Sequence, residues 1–399
     1  MRLSILIPTF NRAALLTQAI DAALAQTYQQ REIIVIDDGS TDDTTSAVEK
    51  YGSAIRYLRK QNGGKASAVN AGISASTGDA IIVLDDDDIF PPWTAAAHVE
   101  ALRRNRAAGF SYGRFVRFRG QTLPPQSQLR DVEFVPTRDP RRLLVKLMEN
   151  CFLPNPAWAA RREALDRAGL YDERLRYCED YDMILRLARR DEGVFVDQTV
   201  LYQRKHLSVR GPADEPIYKL DPTEKWAKYD ALLFEKIDRE WSLADFYPFR
   251  NETEVDAPPD ALAYLQKAIV LFQRKVYQGA LPALDEYRRR LNGRPPSRDE
   301  LRIAAGLLGC RYGIDDLIDD GPHGAQVAER LRAGNWPVAL RRAFASQVRW
   351  RLRAAAVARD IDHGRKLMRF AFHAFGPGAA IAAIGRRSDY GARHWRSEN

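Results

Sequence analysis

The stretch at residues 80–92, Ala-Ile-Ile-Val-Leu-Asp-Asp-Asp-Asp-Ile-Phe-Pro-Pro, constrains this chain more than any other. Its apolar, β-branched start reads as a strand buried on both faces, which delivers the next residues to the carboxyl edge of a sheet. Those residues are four consecutive carboxylates, Asp85, Asp86, Asp87 and Asp88. Adjacent negative charges repel, so a fold that keeps them together needs a cation or a set of donors to compensate. Two readings are open here: a site for a divalent metal ion, or a solvated acidic turn that caps the next helix.

Strand, polar turn and helix recur ahead of that run. Residues 3–7 form a short apolar strand, Pro8-Thr9-Phe10-Asn11-Arg12 a turn, and Leu15, Leu16, Ala19, Ile20, Ala23 and Leu24 one stripe of a helix. A second strand at 32–36 ends in Asp37-Asp38-Gly39-Ser40, with Ser40 or Thr41 expected to cap the helix that carries Ala47, Val48 and Tyr51. A third strand at 55–58, a break at Gln61-Asn62-Gly63-Gly64 and a helix at 65–73 lead back to the acidic run. This alternation predicts an α/β fold with a mixed, mostly parallel sheet flanked by helices. Such sheets bind ligands at the carboxyl ends of their strands, where the turns at 8–12, 37–40 and 85–88 converge.

The common nucleotide and calcium motifs do not fit. Asn62-Gly63-Gly64-Lys65 lacks the dinucleotide fingerprint, and a P-loop ending at Gly64-Lys65 would need glycine where Arg59 stands. An EF-hand loop starting at Asp85 would need Gly and Glu where Phe90 and Ala96 stand.

Further on, 109–119 reads as a strand, 121–138 as a Pro-rich loop and lid, 141–148 as a helix and 194–202 as another strand. Between them, Tyr177-Cys178-Glu179-Asp180-Tyr181-Asp182 opens a helix with Tyr181, Ile184, Leu185 and Ala188 on one face. Carboxylates at that position favour the helix dipole, and Asp180 is expected to stay ionised there.

The series Ser4-Ile5-Leu6-Ile7-Pro8-Thr9-Phe10-Asn11-Arg12, Gln26-Thr27-Tyr28, Glu32 to Asp42, Asn70-Ala71-Gly72-Ile73 and Leu84 to Asp88 resembles family 2 glycosyltransferases in order and spacing, over residues 1 to about 208. The resemblance implies a GT-A fold, a nucleoside-diphosphate sugar donor, with UDP-sugars the commonest, and Mn²⁺ or Mg²⁺ held by an Asp-x-Asp motif. It puts Asp38 on the nucleobase, with Pro8, Thr9 and Asn11 in the turn around it. Lys65 reaches the base or ribose, or is an ordinary exposed lysine. Asp85 is the ribose-side or water-mediated acid and a metal ligand, Asp87 the direct metal ligand, Asp86 the variable position beside the donor, and Asp88 a helix cap. Asp180 is the general base of an inverting transfer, with Glu179 in support and Asp182 at the helix surface or behind the base. His206, in Tyr202-Gln203-Arg204-Lys205-His206, contacts the metal or diphosphate, and Arg204 or Lys205 adds charge or belongs to a solvated loop. Gln203 is not followed by the Gln-x-x-Arg-Trp pattern of processive synthases, so transfer of a single sugar to a glycan or lipid-linked acceptor is expected.

Length and charge set the remaining bounds. At 399 residues more than one domain is expected: 1–211 as the transferase, 212–260 as a connector with a helix, and 261–399 as a helical, arginine-rich region. Three cysteines without paired spacing suit a reducing compartment, and the apolar start meets Pro8 too soon for a signal peptide, so a cytoplasmic location is expected. The net charge of +8 suggests an anionic partner. Residues 343–375 mix aromatic side chains with arginines, which fits a peripheral membrane surface, the outer face of a bundle, or a homodimer contact. Two rival functions are weaker. A sugar-phosphate nucleotidyltransferase would need a glycine-rich start where Pro8-Thr9-Phe10 stands, and a nucleic-acid binder would need basic rather than acidic motifs; no nucleic-acid partner is expected.

Overall fold

The computed structural model describes residues 1–125, 129, 135, 137–205, 222–249, 257–319 and 321–385. The chain divides into two compact units, Met1–Pro222 and Thr223–Asn399. His206 and most of the stretch between Lys205 and the second unit lie outside the described residues, as does part of the 121–138 loop.

The first unit runs β1 (Leu3–Thr9), α1 (Ala13–Leu24), β2 (Arg31–Asp37), α2 (Thr44–Glu49), β3 (Arg56–Arg59), α3 (Lys65–Ala75), β4 (Ala80–Val83) and α4 (Thr94–Arg104). It continues with β5 (Ala108–Arg119), α5 (Pro140–Glu149), β6 (Trp158–Arg161), α6 (Arg162–Ala168), α7 (Glu179–Arg190) and β7 (Glu192–Lys205). The seven strands form one sheet in the order β3-β2-β1-β4-β6-β5-β7. Only β6 is reversed, since it pairs antiparallel with both β4 and β5 while every other pairing is parallel. The α/β expectation therefore holds, with β6 supplying the mixed character.

The core follows the sequence pattern. Leu16, Ala19, Ile20 and Ala23 of α1 are buried with Ile5, Ile7, Ile33 and Val35 in one cluster on the sheet. On the other face α3 comes unusually close, because a Cβ at Gly72 would lie 2.8 Å from Ile36 Cδ1 and 3.2 Å from Leu6 Cδ1. One boundary differs from expectation: α2 starts at Thr44, and Asp42, not Ser40 or Thr41, accepts from the Thr44 amide at 3.1 Å. The hydroxyl of Ser40 instead receives the Asn11 amide at 2.9 Å.

The second unit is helical: α8 (Pro222–Glu240), α9 (Pro259–Gln273), α10 (Tyr277–Leu291), α11 (Arg298–Ala304), α12 (Asp315–Ile318), α13 (Pro322–Ala333), α14 (Val338–Phe344), α15 (Val348–Val357), α16 (Ile361–Phe375) and α17 (Pro377–Gly385). Its interior holds a charge cluster. Asp230, fully buried, accepts from Arg274 Nη1 at 3.0 Å, Arg311 Nη2 at 3.0 Å and the Tyr312 hydroxyl at 2.6 Å. Among the described residues no helix is long and apolar enough to cross a membrane, and Cys151, Cys178 and Cys310 form no disulfide.

Removing one member of a buried ion pair strands its partner's charge, at a cost of about 3–5 kcal/mol. Asp230→Ala should therefore lower the unfolding free energy by that order, read as a shifted urea midpoint of the transition that reports the second unit, with the first unit's transition unmoved.

Candidate active site

The acidic run leaves β4 as a tight turn. The Leu84 amide donates to Leu6 O at 2.8 Å, extending the β4–β1 pairing by one bond, and the Asp88 amide then closes onto Asp85 O at 3.0 Å. Ile89 pairs with Tyr202 through two backbone bonds of 3.1 and 2.9 Å, which clamps the turn against the end of β7. Each of the four side chains meets a donor, and Asp86 and Asp87 share one, Arg12 Nη1.

Asp85 Oδ1 faces Lys65 Nζ at 2.7 Å. Asp86 accepts from the Thr9 hydroxyl at 2.8 Å and Arg12 Nη1 at 3.0 Å, and the same Nη1 lies 2.8 Å from Asp87 Oδ2. Asp88 Oδ1 accepts from the Arg204 amide at 2.7 Å, while Arg204 Nε donates to Asp87 O at 2.8 Å. Arg204 is no solvated loop residue: only 2% of its surface is exposed, its guanidinium lies 4.7 Å from the Phe118 ring centre, and it also reaches Gly120 O and Gln18 Oε1. Arg12, Lys65 and Arg204 thus compensate the run. Asp85, Asp87 and Asp88 each place an oxygen within 4.8 Å of the others, a donor set that suits a hard divalent cation. Asp86 is outside that set, and its contacts fix the β1 turn.

The donor-side turns are laced together at their backbones. The Asp38 amide donates to Thr9 O at 2.9 Å, and Asn11, in the left-handed region at φ 53°, accepts from the Thr41 amide at 2.7 Å through Oδ1. The Asp38 carboxylate receives Lys60 Nζ at 2.7 Å and the amides of Gly63 and Gly64 at 3.0 and 2.7 Å. Pro8 sits inside β1 opposite Ile36. Lys60 is therefore the lysine paired with Asp38.

Lys65 joins the acidic run to the second acidic motif, because its Nζ also lies 3.8 Å from Glu179 Oε1. Glu179 opens α7 behind Cys178, which caps the helix in the left-handed conformation at φ 63°. A non-glycine residue held there costs of order 1 kcal/mol or more and persists only where surrounding structure enforces it. Asp180 Oδ1 accepts from the Tyr181 amide at 2.8 Å, and Asp182 is buried against Arg186 Nε at 2.7 Å rather than lying at the surface. Asn70 secures this arrangement, giving Nδ2 to Tyr171 O at 3.0 Å and accepting the Tyr171 amide at 2.9 Å.

Burial governs the protonation of the cluster. It pushes Asp86 up to about 6, with Arg12 opposing and Asp87 assisting. It pushes Glu179 up to about 7, assisted by Asp180 and opposed by Lys65. Asp180 also moves upward by burial against the pull of Lys65, so the helix start does not dominate as the sequence suggested. Burial would lower Lys65 and Arg12, but their acid partners reverse it and raise both.

The structure brings Thr9, Asp85, Asp86, Asp87, Lys65, Glu179 and Asp180 into one contiguous cluster, joined through Thr9 to Asn11 and Asp38 at the neighbouring turn. His206 is outside the described residues. Sequence reasoning gave no site role to Arg12 or Lys60 and left Arg204 between two readings; Arg12, the last residue of the turn at 8–12, carried the one local signal.

Because Glu179 binds its proton more tightly folded than unfolded, its contribution is present below about pH 4.5 and lost as pH rises through about 7. Glu179→Gln should remove that slope, so the metal-free variant matches the parent in thermal stability at pH 4 and exceeds it at pH 8.

Comparison with known proteins places these features. Residues 4–169 match the family described as Glycosyl transferase family 2. An uncharacterized glycosyltransferase of Rickettsia prowazekii is 33% identical over 213 residues, covering 51% of this chain and 64% of that protein. A second, of Rickettsia typhi, is 32% identical over 213 residues with the same coverage. The chain thus spans just under two thirds of these relatives. Among solved structures, Staphylococcus aureus TarS 1-349 in complex with UDP-GlcNAc aligns at a TM-score of 0.51 and 18% identity, covering 92% of this chain and 90% of that one, a likeness of fold. With the sheet order described above, the GT-A expectation holds, and residues 4–169 of the N-terminal unit carry the match to glycosyl transferase family 2.

Proposed function

We propose that this chain transfers a single sugar, with inversion, from a nucleoside-diphosphate sugar, by preference a UDP-sugar, to a hydroxyl of a glycan or lipid-linked acceptor. The observation that carries the reading is the bridge formed by Lys65 between Asp85 of the acidic turn and Glu179 beside Asp180, which sets a cation-binding group and a proton acceptor side by side. Transfer to a hydroxyl needs both: a proton must leave the nucleophile while negative charge builds on the departing diphosphate.

Asp180 takes the proton from the acceptor hydroxyl as its oxygen attacks the anomeric carbon from the face opposite the diphosphate. Its upward-shifted proton affinity makes the ionised carboxylate a stronger base than an exposed aspartate. Glu179 positions Lys65 and keeps the local charge balanced. Asp38 and the turn at Pro8, Thr9 and Asn11 receive the nucleobase, and Arg12 faces the phosphate side. A divalent cation, Mn²⁺ or Mg²⁺, held by Asp85 and Asp87 with Asp88 alongside, supplies Lewis-acid stabilisation of the departing diphosphate.

A panel of UDP-, GDP- and dTDP-sugars, read by metal-dependent thermal stabilisation and donor hydrolysis, tests the reading; stabilisation by none of them sinks it. Asp87→Ala should abolish the Mn²⁺-dependent part of nucleotide binding in titration calorimetry. Asp180→Asn should reduce transfer by about 10²–10⁴-fold while nucleotide affinity stays unchanged; undiminished turnover removes Asp180 from the role of base.

A further inference from the structure

The second unit carries a surface whose residues lie outside the candidate active site described above. Where α16 packs beside α13 lies an open groove of about 780 Å³, lined by Arg332, Ile361, Arg365, Met368, Arg369 and Phe372 among others, and no carboxylate is among its lining residues. Ile361, Arg365, Met368 and Phe372 are spaced at steps of four, three and four, so they share one stripe of α16. Ile361 is 70% exposed and Phe372 39%, although both are large apolar side chains.

The acids near α16 are spent elsewhere. Asp319 and Asp362 pair with Lys366, and Asp315 with His363. Among the described residues, Arg332 and Arg365 make no ion pair. The stretch of sequence that supplies α16 carries a wider bias. Residues 338–385 hold nine Lys and Arg against two Asp, an excess of seven in a chain whose net charge is +8. The same stretch holds seven of the eleven large hydrophobic side chains exposed among the described residues, including Trp350, Val357 and Ile381.

Three kinds of occupant would use this face differently. A soluble polyanion would meet the arginines and gain nothing from Ile361 and Phe372. An apolar helix of another protein would cover those two and leave uncompensated arginines beside them. A bilayer of anionic phospholipid takes both, with head-group phosphates on the guanidinium groups and apolar side chains at the acyl boundary. We propose that the α13–α16 face is a docking surface for an anionic phospholipid membrane, on which α16 lies in the plane of the interface. The inference stands on the second unit alone and does not depend on the sugar-transfer reading.

The test is co-sedimentation of the full chain with vesicles of phosphatidylcholine, alone or with about one third phosphatidylglycerol, at low and high salt. Binding should require the anionic lipid and weaken as salt rises. With each arginine at an anionic surface contributing about fivefold, Arg332→Ala with Arg365→Ala should weaken partitioning roughly 30-fold. Ile361→Ser with Phe372→Ser should also weaken it. All four side chains reach solvent, and unchanged thermal unfolding of both double variants confirms that the fold is intact. Equal partitioning to neutral and anionic vesicles, or wild-type binding by both variants, overturns the proposal. Loss of binding in the arginine variant alone, with retention on immobilised heparin matching that on vesicles, assigns the groove to a soluble polyanion and overturns it as well.

Discussion

Four carboxylates compressed into one turn are an electrostatic problem before they are a site, and the first unit is arranged around its solution. Compensation comes from three cations on three separate elements: Arg12 after β1, Lys65 at the start of α3 and Arg204 near the end of β7. Each is fixed by more than its charge. Arg204, for instance, is buried on an aromatic ring and ties the Asp87 carbonyl of the turn to the Gly120 carbonyl that follows β5. The parallel sheet is what lets such distant segments meet, because it gathers the carboxyl ends of its strands at one edge.

That arrangement also explains why the two acidic motifs communicate. Lys65 carries one positive charge and faces acids from both, so the electrostatics of the acidic turn and of the α7 start are a single balance rather than two. The enforced left-handed backbone at Cys178 belongs to the same design, since it sets Glu179 and Asp180 at the mouth of the helix instead of along its side.

Much of this was legible in the sequence. The β-branched runs, the turn residues and the helical stripe of α1 located β1 to β4 within a residue or two, because buried parallel strands demand just such runs. In the second unit the Gly-Pro breaks mark real ends, with α13 beginning at Pro322 and α16 stopping before Gly376. What escaped depends on tertiary context. Strand β6, Trp158–Arg161, is four residues long and half alanine, too short and plain to show a period. Arg204 and Lys60 look like any surface cation until their partners, remote in sequence, are folded beside them. The helix start at Asp180 is visible in sequence, whereas the burial that moves its proton affinity upward is not.

The clamp on the acidic turn reaches far along the chain, from Asp88 to Arg204, a separation of 116 residues. Contacts that distant form late, since closing so long a segment must precede any gain from it. During synthesis β1 to β4 therefore leave the ribosome with one of their three counter-ions still untranslated, and the acidic turn stays mutually repelling until the last strand docks. Completion of the acidic edge is thus coupled to completion of the sheet, and a truncated or stalled chain retains the sequence motif without its folded geometry.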